Sequence, residues 1–314
     1  MRAIGRRPHR VLVSAVLAAA LVACSADGGD VAETGTPPPT TSTSSTSSTS
    51  STTTTTPSAA PEGAQGLAAN IEQGRPYIAR DLLELFLRNE SEVAVEVVAF
   101  RLVDPRFAEL EATPRGVSIP PGLGPRSMPM PYGAPDCSDD GPAGAAEVEV
   151  TMADGAVVPV TVDPAGQQFL DVFHADKCQV QQIGEVVSLR WSTPISAVDP
   201  ATIRLPLVIE RRAGDEPITI EEVGGTPIFA DRLVDPDSLP VTLEPGTSRV
   251  EVEVDLSAAR CEAHALTESN KTFRFSVWVG IGGQPSHRVE VIPEGEPRAA
   301  LEEAMQAGCF GTLD

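Results

Sequence analysis

Basic and aromatic residues are scarce in this 314-residue chain. It has 23 Lys and Arg residues against 44 Asp and Glu residues, which gives a formal net charge of −21, and 4% of its residues are aromatic. Binding to phosphates of nucleic acid needs a basic surface, so this composition argues against a nucleic-acid partner. The negative charge also argues against electrostatic docking on anionic lipid. With so few aromatic residues, any hydrophobic core must be small.

Histidine and the usual catalytic motifs are also rare. After residue 23 the histidines are His174, His264 and His287, and none belongs to a His-x-x-x-His or HExxH pair. The sequence has no serine nucleophile elbow either. We therefore interpret these histidines as structural or surface residues, and we expect a protein that is not an enzyme and that carries no cofactor.

Long hydrophobic runs are absent after residue 24, so no later segment is expected to span a membrane. The beginning of the chain is different, because four arginines precede the apolar run 11–23. A positive segment followed by a short apolar run is typical of a secretory leader. The leader ends in Leu21-Val22-Ala23-Cys24, which resembles the lipobox of bacterial lipoproteins.

The resemblance to bacterial lipoproteins implies where the protein is located. In that family the cysteine receives a diacylglycerol thioether, and the leader is cleaved at the bond that precedes this cysteine. Residues 1–23 would then be a signal peptide, and Cys24 would be the lipidated N-terminus. The bias of two Lys against 21 Arg is associated with an actinobacterial-type envelope. We expect a protein that the lipid anchors at the extracytoplasmic face of the membrane.

A segment of low complexity follows the leader. Residues 34–60 are almost entirely Ser, Thr, Pro and Gly, and such a composition cannot bury enough apolar surface to fold. As a flexible coil, about 27 residues would span roughly 30 Å. We expect residues 24–63 to be the lipidated N-terminus and a disordered tether that holds the folded part away from the lipid.

The rest of the chain contains an internal repeat. Several residues match when the sequence is shifted by 124 positions: Leu83 with Leu207, Leu85 with Ile209, Arg88 with Arg212, Glu92 with Glu216, and Cys137 with Cys261. In each copy this cysteine is followed by an alternating strand pair, a short helix and a second cysteine. Asp163-Pro164 is typical of a helix start and Gly308 of a helix end. We predict two copies of one domain, at 64–182 and 183–314.

Four cysteines lie in the two copies: Cys137 and Cys178 in the first, and Cys261 and Cys309 in the second. An even number of cysteines in an exported chain indicates disulfide bonds. No two of them have the CxxC spacing that would indicate zinc. Because each copy carries one pair at equivalent positions, we predict the disulfides Cys137–Cys178 and Cys261–Cys309.

Several segments alternate hydrophobic and polar residues. Val250, Val252 and Val254, for example, are separated by acidic residues. This period of two predicts strands with one buried face, as in antiparallel sheets. The sequence therefore predicts an all-β fold of two tandem immunoglobulin-like β-sandwiches. The Cys–Trp–Cys arrangement of true immunoglobulin domains is absent.

Two features near Cys137 are candidate sites. Asp136, Asp139 and Asp140 are clustered carboxylates that could hold calcium, which needs several converging oxygens. Their spacing is not that of an EF-hand, and a solvated loop is the favoured interpretation. Segment 128–132, Met-Pro-Met-Pro-Tyr, is either an exposed ledge for a partner protein or an edge strand or loop packed over the core. Proline in the segment excludes pairing as a central strand, and we favour packing over the core.

A non-catalytic binding or scaffolding role outside the membrane fits these observations, because loops on small sandwiches commonly carry binding residues. The candidate partners are an envelope protein, a cell-wall glycan and, through the lipid, the membrane. One alternative is a cell-wall or glycan-directed hydrolase or its accessory, which would need two carboxylates roughly 5–9 Å apart. Another is the solute-capturing lipoprotein of an importer, although those proteins are usually larger and rich in helices.

Replacing Cys24 by Ala should move the protein out of the membrane fraction, because the thioether cannot form without the thiol. Fractionation of cells that express the wild type or the variant, followed by immunoblotting, measures this change. Ser25→Ala is the matched control and should stay with the membrane. An unchanged membrane fraction for Cys24→Ala would contradict the lipoprotein prediction.

Overall fold

The computed structural model describes residues 66–138 and 144–311. The chain divides into the units Met1–Thr56 and Pro57–Asp314, and every described residue belongs to the second unit. The predicted signal peptide, Cys24, the tether, Asp139 and Asp140 lie outside the described residues. Their assignments therefore stay predictions.

The first half of the described chain has seven strands and two helices. Its strands are β1 (Leu67–Glu72), β2 (Leu83–Asn89), β3 (Val95–Val103), β4 (Thr113–Ile119), β5 (Arg126–Met130), β6 (Glu147–Met152) and β7 (Val157–Thr161). The short helix α1 (Arg75–Ile78) lies between β1 and β2, and the long helix α2 (Pro164–Val186) follows β7.

The second half begins directly after α2. Its strands are β8 (Val187–Trp191), β9 (Ser196–Asp199), β10 (Thr202–Arg211), β11 (Ile218–Gly224), β12 (Phe229–Leu233), β13 (Val241–Leu243), β14 (Arg249–Ala258), β15 (Phe275–Ile281) and β16 (His287–Val291). Its helices are the 3-10 turn Pro236–Ser238, α3 (Ala263–Glu268), α4 (Gly295–Met305) and the π-helical turn Gln306–Phe310.

Each half contains two antiparallel sheets. The first half has the strand orders β1-β2-β5 and β4-β3-β6-β7, and the second has β12-β14-β10-β8 and β13-β11-β15-β16, with β9 also paired to β10. In the central pair β10 and β14, Leu205 lies opposite Val254, and both side chains are fully buried. Sheets with one buried face confirm the predicted all-β sandwich fold, whereas the immunoglobulin-like assignment stays a prediction.

The two halves share one order of strand pairing. The order β1-β2-β5 corresponds to β8-β10-β14, and β4-β3-β6-β7 corresponds to β13-β11-β15-β16. Buried residues also recur at the shift of 124: Ile119 with Leu243, Met128 with Val252, and Met130 with Val254. The second half adds β9 and β12 to the common set.

The apolar residues form two hydrophobic cores. One contains residues between Ala69 and Phe173, and the other contains residues between Ile183 and Ala304. Helix α2 contributes Leu170 and Phe173 to the first core and Ile183 to the second. The helix is therefore longer than the short one predicted, and it crosses the predicted domain boundary between residues 182 and 183.

The helix ends agree only partly with the sequence signals. The carboxylate of Asp163 accepts a hydrogen bond from the backbone N–H of Gly166 at 2.9 Å, so it caps α2 as predicted. Gly308 does not end the second helix, since it lies within the π-helical turn that continues to residue 310. A Cβ at this position would lie 2.8 Å from the Cβ of Ala201. Glycine is needed there for close packing, not for a helix stop.

Each half contains one disulfide bond. Cys137–Cys178 links the segment after β5 to α2, and Cys261–Cys309 links the segment after β14 to the π-helical turn after α4. These are the two pairs that the internal repeat predicts. In both halves the disulfide links the last helical segment to the loop that precedes the last β-hairpin.

Replacing both Cys137 and Cys178 by Ala should lower the free energy of unfolding by about 4 kcal/mol, because a loop of 41 residues gains freedom in the unfolded chain. The pair Cys261 and Cys309 closes a loop of 48 residues, so its removal should cost nearly the same. Urea titration of purified protein measures both losses, with the reduced wild type as the control. A loss below about 1 kcal/mol for both pairs would contradict this account.

Candidate functional site

Two of the three histidines contact groups that give them structural roles. On α2, Nε2 of His174 lies 2.8 Å from the carbonyl oxygen of Asp136 and 3.4 Å from Sγ of Cys178. On β16, Nε2 of His287 is 3.1 Å from the carboxylate of Asp176, although it lacks hydrogen-bond geometry. This second contact joins β16 to α2. The third, His264, lines the groove described below.

The carboxylate cluster near Cys137 is described only at Asp136. Its carboxylate accepts a hydrogen bond from the backbone N–H of Ser138 at 3.1 Å, which closes a local turn. Ligand atoms of Cys137, His174 and Cys178 lie within 4.8 Å of one another. Both sulfurs belong to the disulfide, however, so they are not the thiolates that bind zinc. The described part of this region therefore shows no built cation site.

The interpretation of segment 128–132 as an exposed ledge is wrong. Met128 is 1% exposed and Met130 is fully buried, because both point into the first core from β5. This strand pairs with β2 alone, at the edge of its sheet. The edge-strand interpretation is confirmed, and proline is tolerated at such an edge.

Two buried carboxylates serve the fold. Asp255 on β14 is 2% exposed and receives hydrogen bonds from Arg204 at 2.8 Å and Arg232 at 2.5 Å, which lie on the neighbouring strands. The hydrogen bond from Arg204 outweighs desolvation and lowers the pKa of Asp255. Asp104 is likewise buried and pairs with Arg106 at 2.8 Å. Both arrangements satisfy buried charges, as a stable interior requires.

A groove of about 880 Å³ lies where α1 of the first half meets α3 and the adjoining loops of the second half. We call it the junction groove. Its basic residues come from both halves: Arg75, Arg260, His264 and Lys271. Such a volume falls within the range of ligand pockets.

The cations of the junction groove differ in how they are held. Arg75 and Arg260 are exposed, and neither side chain has an ion pair or hydrogen bond with another described residue. Lys271 donates a hydrogen bond to Glu290 at 2.9 Å. Two arginines are therefore available to an anionic ligand, in a chain whose net charge is −21.

Glu290 holds three basic residues together, one of which, Lys271, lines the groove. Its carboxylate accepts hydrogen bonds from Lys271 at 2.9 Å, Arg274 at 3.0 Å and Arg288 at 3.0 Å. Desolvation would raise the pKa of Glu290, but the hydrogen bonds from Lys271 and Arg274 outweigh it, and the pKa is lowered. Three cations around one carboxylate leave a local excess of positive charge.

Arg274 also connects the two halves. Its Nη2 donates a hydrogen bond to the backbone carbonyl of Ala79, just after α1, at 2.8 Å. A smaller cavity of about 370 Å³ adjoins this contact and is lined by Arg274, Arg298 and Phe273. The guanidinium of Arg298 lies 3.5 Å from the centre of the Phe273 ring. Asn270 lines both cavities, so the basic surface continues from one into the other.

The remaining walls of the junction groove are apolar or neutral. Pro76, Ile78 and Pro227 supply apolar surface, while Thr267 and Asn270 supply hydroxyl and amide groups. Among the lining residues with described side chains there is no carboxylate. The arrangement can therefore hold an anion beside a partly apolar body, and it offers no described pair of acids for hydrolysis.

Sequence reasoning did not find this groove. Arg75 and Arg260 are 185 positions apart and belong to no motif. Among the groove residues, only Lys271 stood out in the sequence, because it is one of two lysines in the chain. Only the packing of α1 against the second half brings these residues together.

No protein-family model matches the sequence, and no curated protein matches it. Among solved structures, 71% of the chain is similar to 26% of the exo-chitosanase CsxA from Amycolatopsis orientalis, with 12% identity and a TM-score of 0.20. A protein of unknown function from Porphyromonas gingivalis is similar over 68% of this chain and 90% of its own length, with 15% identity and a TM-score of 0.22. Likenesses this weak carry no argument about function.

Within residues 66–138 and 144–311, no helix has the length and apolar character needed to cross a membrane.

Replacing Glu290 by Gln should destabilise the protein at pH 7 by roughly 1–3 kcal/mol, because three cations lose a charged hydrogen-bond partner. The folded-state pKa of Glu290 is lowered, so its stabilisation is present above the unfolded-state pKa of about 4.3. It is lost as the pH falls through the lower folded-state pKa. Urea titrations at pH 7 and near pH 3 should therefore show a difference from wild type that shrinks in acid.

Glu222→Gln is the matched control, because Glu222 is exposed and makes no ion pair with a described residue. It should change stability little at either pH. Equal losses for Glu290→Gln at both pH values would show that the ion-pair cluster is not the cause.

Proposed function

We propose that this protein is a lipid-anchored component of the cell envelope that binds a ligand outside the membrane without catalysis. The junction groove is the observation that carries the proposal. It has the volume of a ligand pocket, and it presents two arginines that have no partner among the described residues. A groove formed by both halves would use the duplicated fold as a rigid support.

The anchor and the tether support a location outside the membrane. The lipobox resemblance at Cys24 supplies a covalent attachment to lipid, and the Ser/Thr/Pro-rich segment supplies a spacer of roughly 30 Å. An acidic folded part would not adhere to anionic lipid by charge. The groove would thus face the space between the membrane and the outer layers of the envelope.

The chemistry of the groove supports binding over hydrolysis. A glycan hydrolase needs one carboxylic acid with a raised pKa and a second carboxylate beside it. The lining residues with described side chains are cationic, neutral polar or apolar. In Glu290, which accepts a hydrogen bond from the lining residue Lys271, the pKa is lowered, not raised.

A photo-crosslinking amino acid at position 267, on the exposed rim of the groove, should capture an envelope component in living cells that express the full chain. Captured products are detected as shifted bands and identified by mass spectrometry. The same amino acid at position 157 is the control, because Val157 is exposed on β7 and lies outside the groove.

A distinct product at position 267 that is absent at position 157 would support the proposal, whether the product is a protein or a glycan. The same products at both positions, or none at either, would contradict a binding role for the groove. Fractionation of the same cells shows whether the tested protein is at the membrane.

A further inference from the structure

We infer that the ligand of the junction groove is an acidic saccharide, that is, a sugar or short glycan that carries a carboxylate or a phosphate group. The inference rests on the proposed binding function and names the chemical class that the groove recognises.

The charge of the groove selects an anion. Arginine recognises carboxylate and phosphate through paired hydrogen bonds in a fixed planar geometry. Arg75 and Arg260 have no partner among the described residues, so no existing ion pair must break when an anion binds. Lys271 also lines the groove, and its ammonium is held by Glu290.

The positive charge of the groove is local, and this favours a small anionic ligand over an anionic membrane surface. Charges are screened over about 8 Å at physiological ionic strength. A ligand inside the groove therefore meets mainly the groove's own cations. An anionic bilayer would face a wide area of a protein whose net charge is −21 and would be repelled overall.

The neutral lining suits the rest of a sugar. The amide of Asn270 can donate to and accept from sugar hydroxyls, and the hydroxyl of Thr267, which donates to the carbonyl of Ala263 at 2.7 Å, can accept from them. Pro76, Ile78 and Pro227 offer apolar surface to the C–H faces of a sugar ring. The volume of about 880 Å³ leaves room for several rings.

The backbone around the groove argues against an extended acidic peptide. Peptides that bind β-proteins commonly add a strand to an open sheet edge and pair with its main chain. None of the residues that line the junction groove belongs to a strand, because they lie on α1, α3 and loops. The groove therefore offers side-chain contacts and no strand edge.

Titration calorimetry of the full chain in non-ionic detergent tests the ligand class. The acidic saccharide probes are trigalacturonic acid and glucose 1-phosphate, with galactotriose and glucose as their neutral counterparts. Tetraglutamate and inorganic phosphate supply the same anions without a sugar. We expect each acidic saccharide to bind at least about tenfold more tightly than its neutral counterpart and than the matching sugar-free anion.

Arg75→Gln and Arg260→Gln should each weaken the binding of the acidic saccharides about tenfold, which is the loss of one charge-assisted contact. Arg115→Gln is the matched control, because Arg115 is exposed on β4, outside the groove. It changes the net charge by the same amount and should leave affinity unchanged.

Equal affinity for the neutral saccharides, or for tetraglutamate and inorganic phosphate, would overturn the assignment to acidic saccharides. So would an equal loss in Arg115→Gln, or no binding of either acidic saccharide. If these results came with a specific crosslink at position 267, the ligand class alone would fail. If the crosslink were also absent, the proposed binding function would fail with it.

Discussion

The continuous helix α2 is the constraint on which the rest of the folded structure depends. It begins at a capped turn after β7, places Leu170 and Phe173 in the first core, and places Ile183 in the second. Strand β8 starts at the next residue, so no flexible linker separates the halves. Because an uninterrupted helix is stiff over such a length, the two sandwiches are held in contact, and a groove between them can persist.

Charge distribution is the second constraint. The acidic excess of the chain would repel an anion from most of its surface. The cluster around Glu290 reverses this locally, because one carboxylate holds three cations and Arg274 reaches across to Ala79. The interactions that fix the contact between the halves therefore also place positive charge beside the groove.

Structural features that depend on a local sequence pattern or on the internal repeat could be predicted from the sequence. Period-two alternation at Val250, Val252 and Val254 located β14, since a strand with one buried face must alternate, and the repeat indicated the cysteine pairs. The length of α2 was missed, because residues 183–186 bury their apolar surface against the second half and not the first. Gly308 was misinterpreted, because a glycine at a close approach and a glycine at a helix end look alike in sequence. The groove was missed because Arg75 and Arg260 meet only through tertiary packing.

The groove also shows how two halves with one order of strand pairing gain a feature that neither half has alone. In the first half the connection between the strands β1 and β2 forms α1, which is a wall of the groove. In the second half the corresponding connection, between β8 and β10, forms β9, which pairs with β10 instead. Each half has its own sheets and its own disulfide, but the junction occurs once in the described chain. Residues at the junction are therefore not bound by the pairing order that the two halves share.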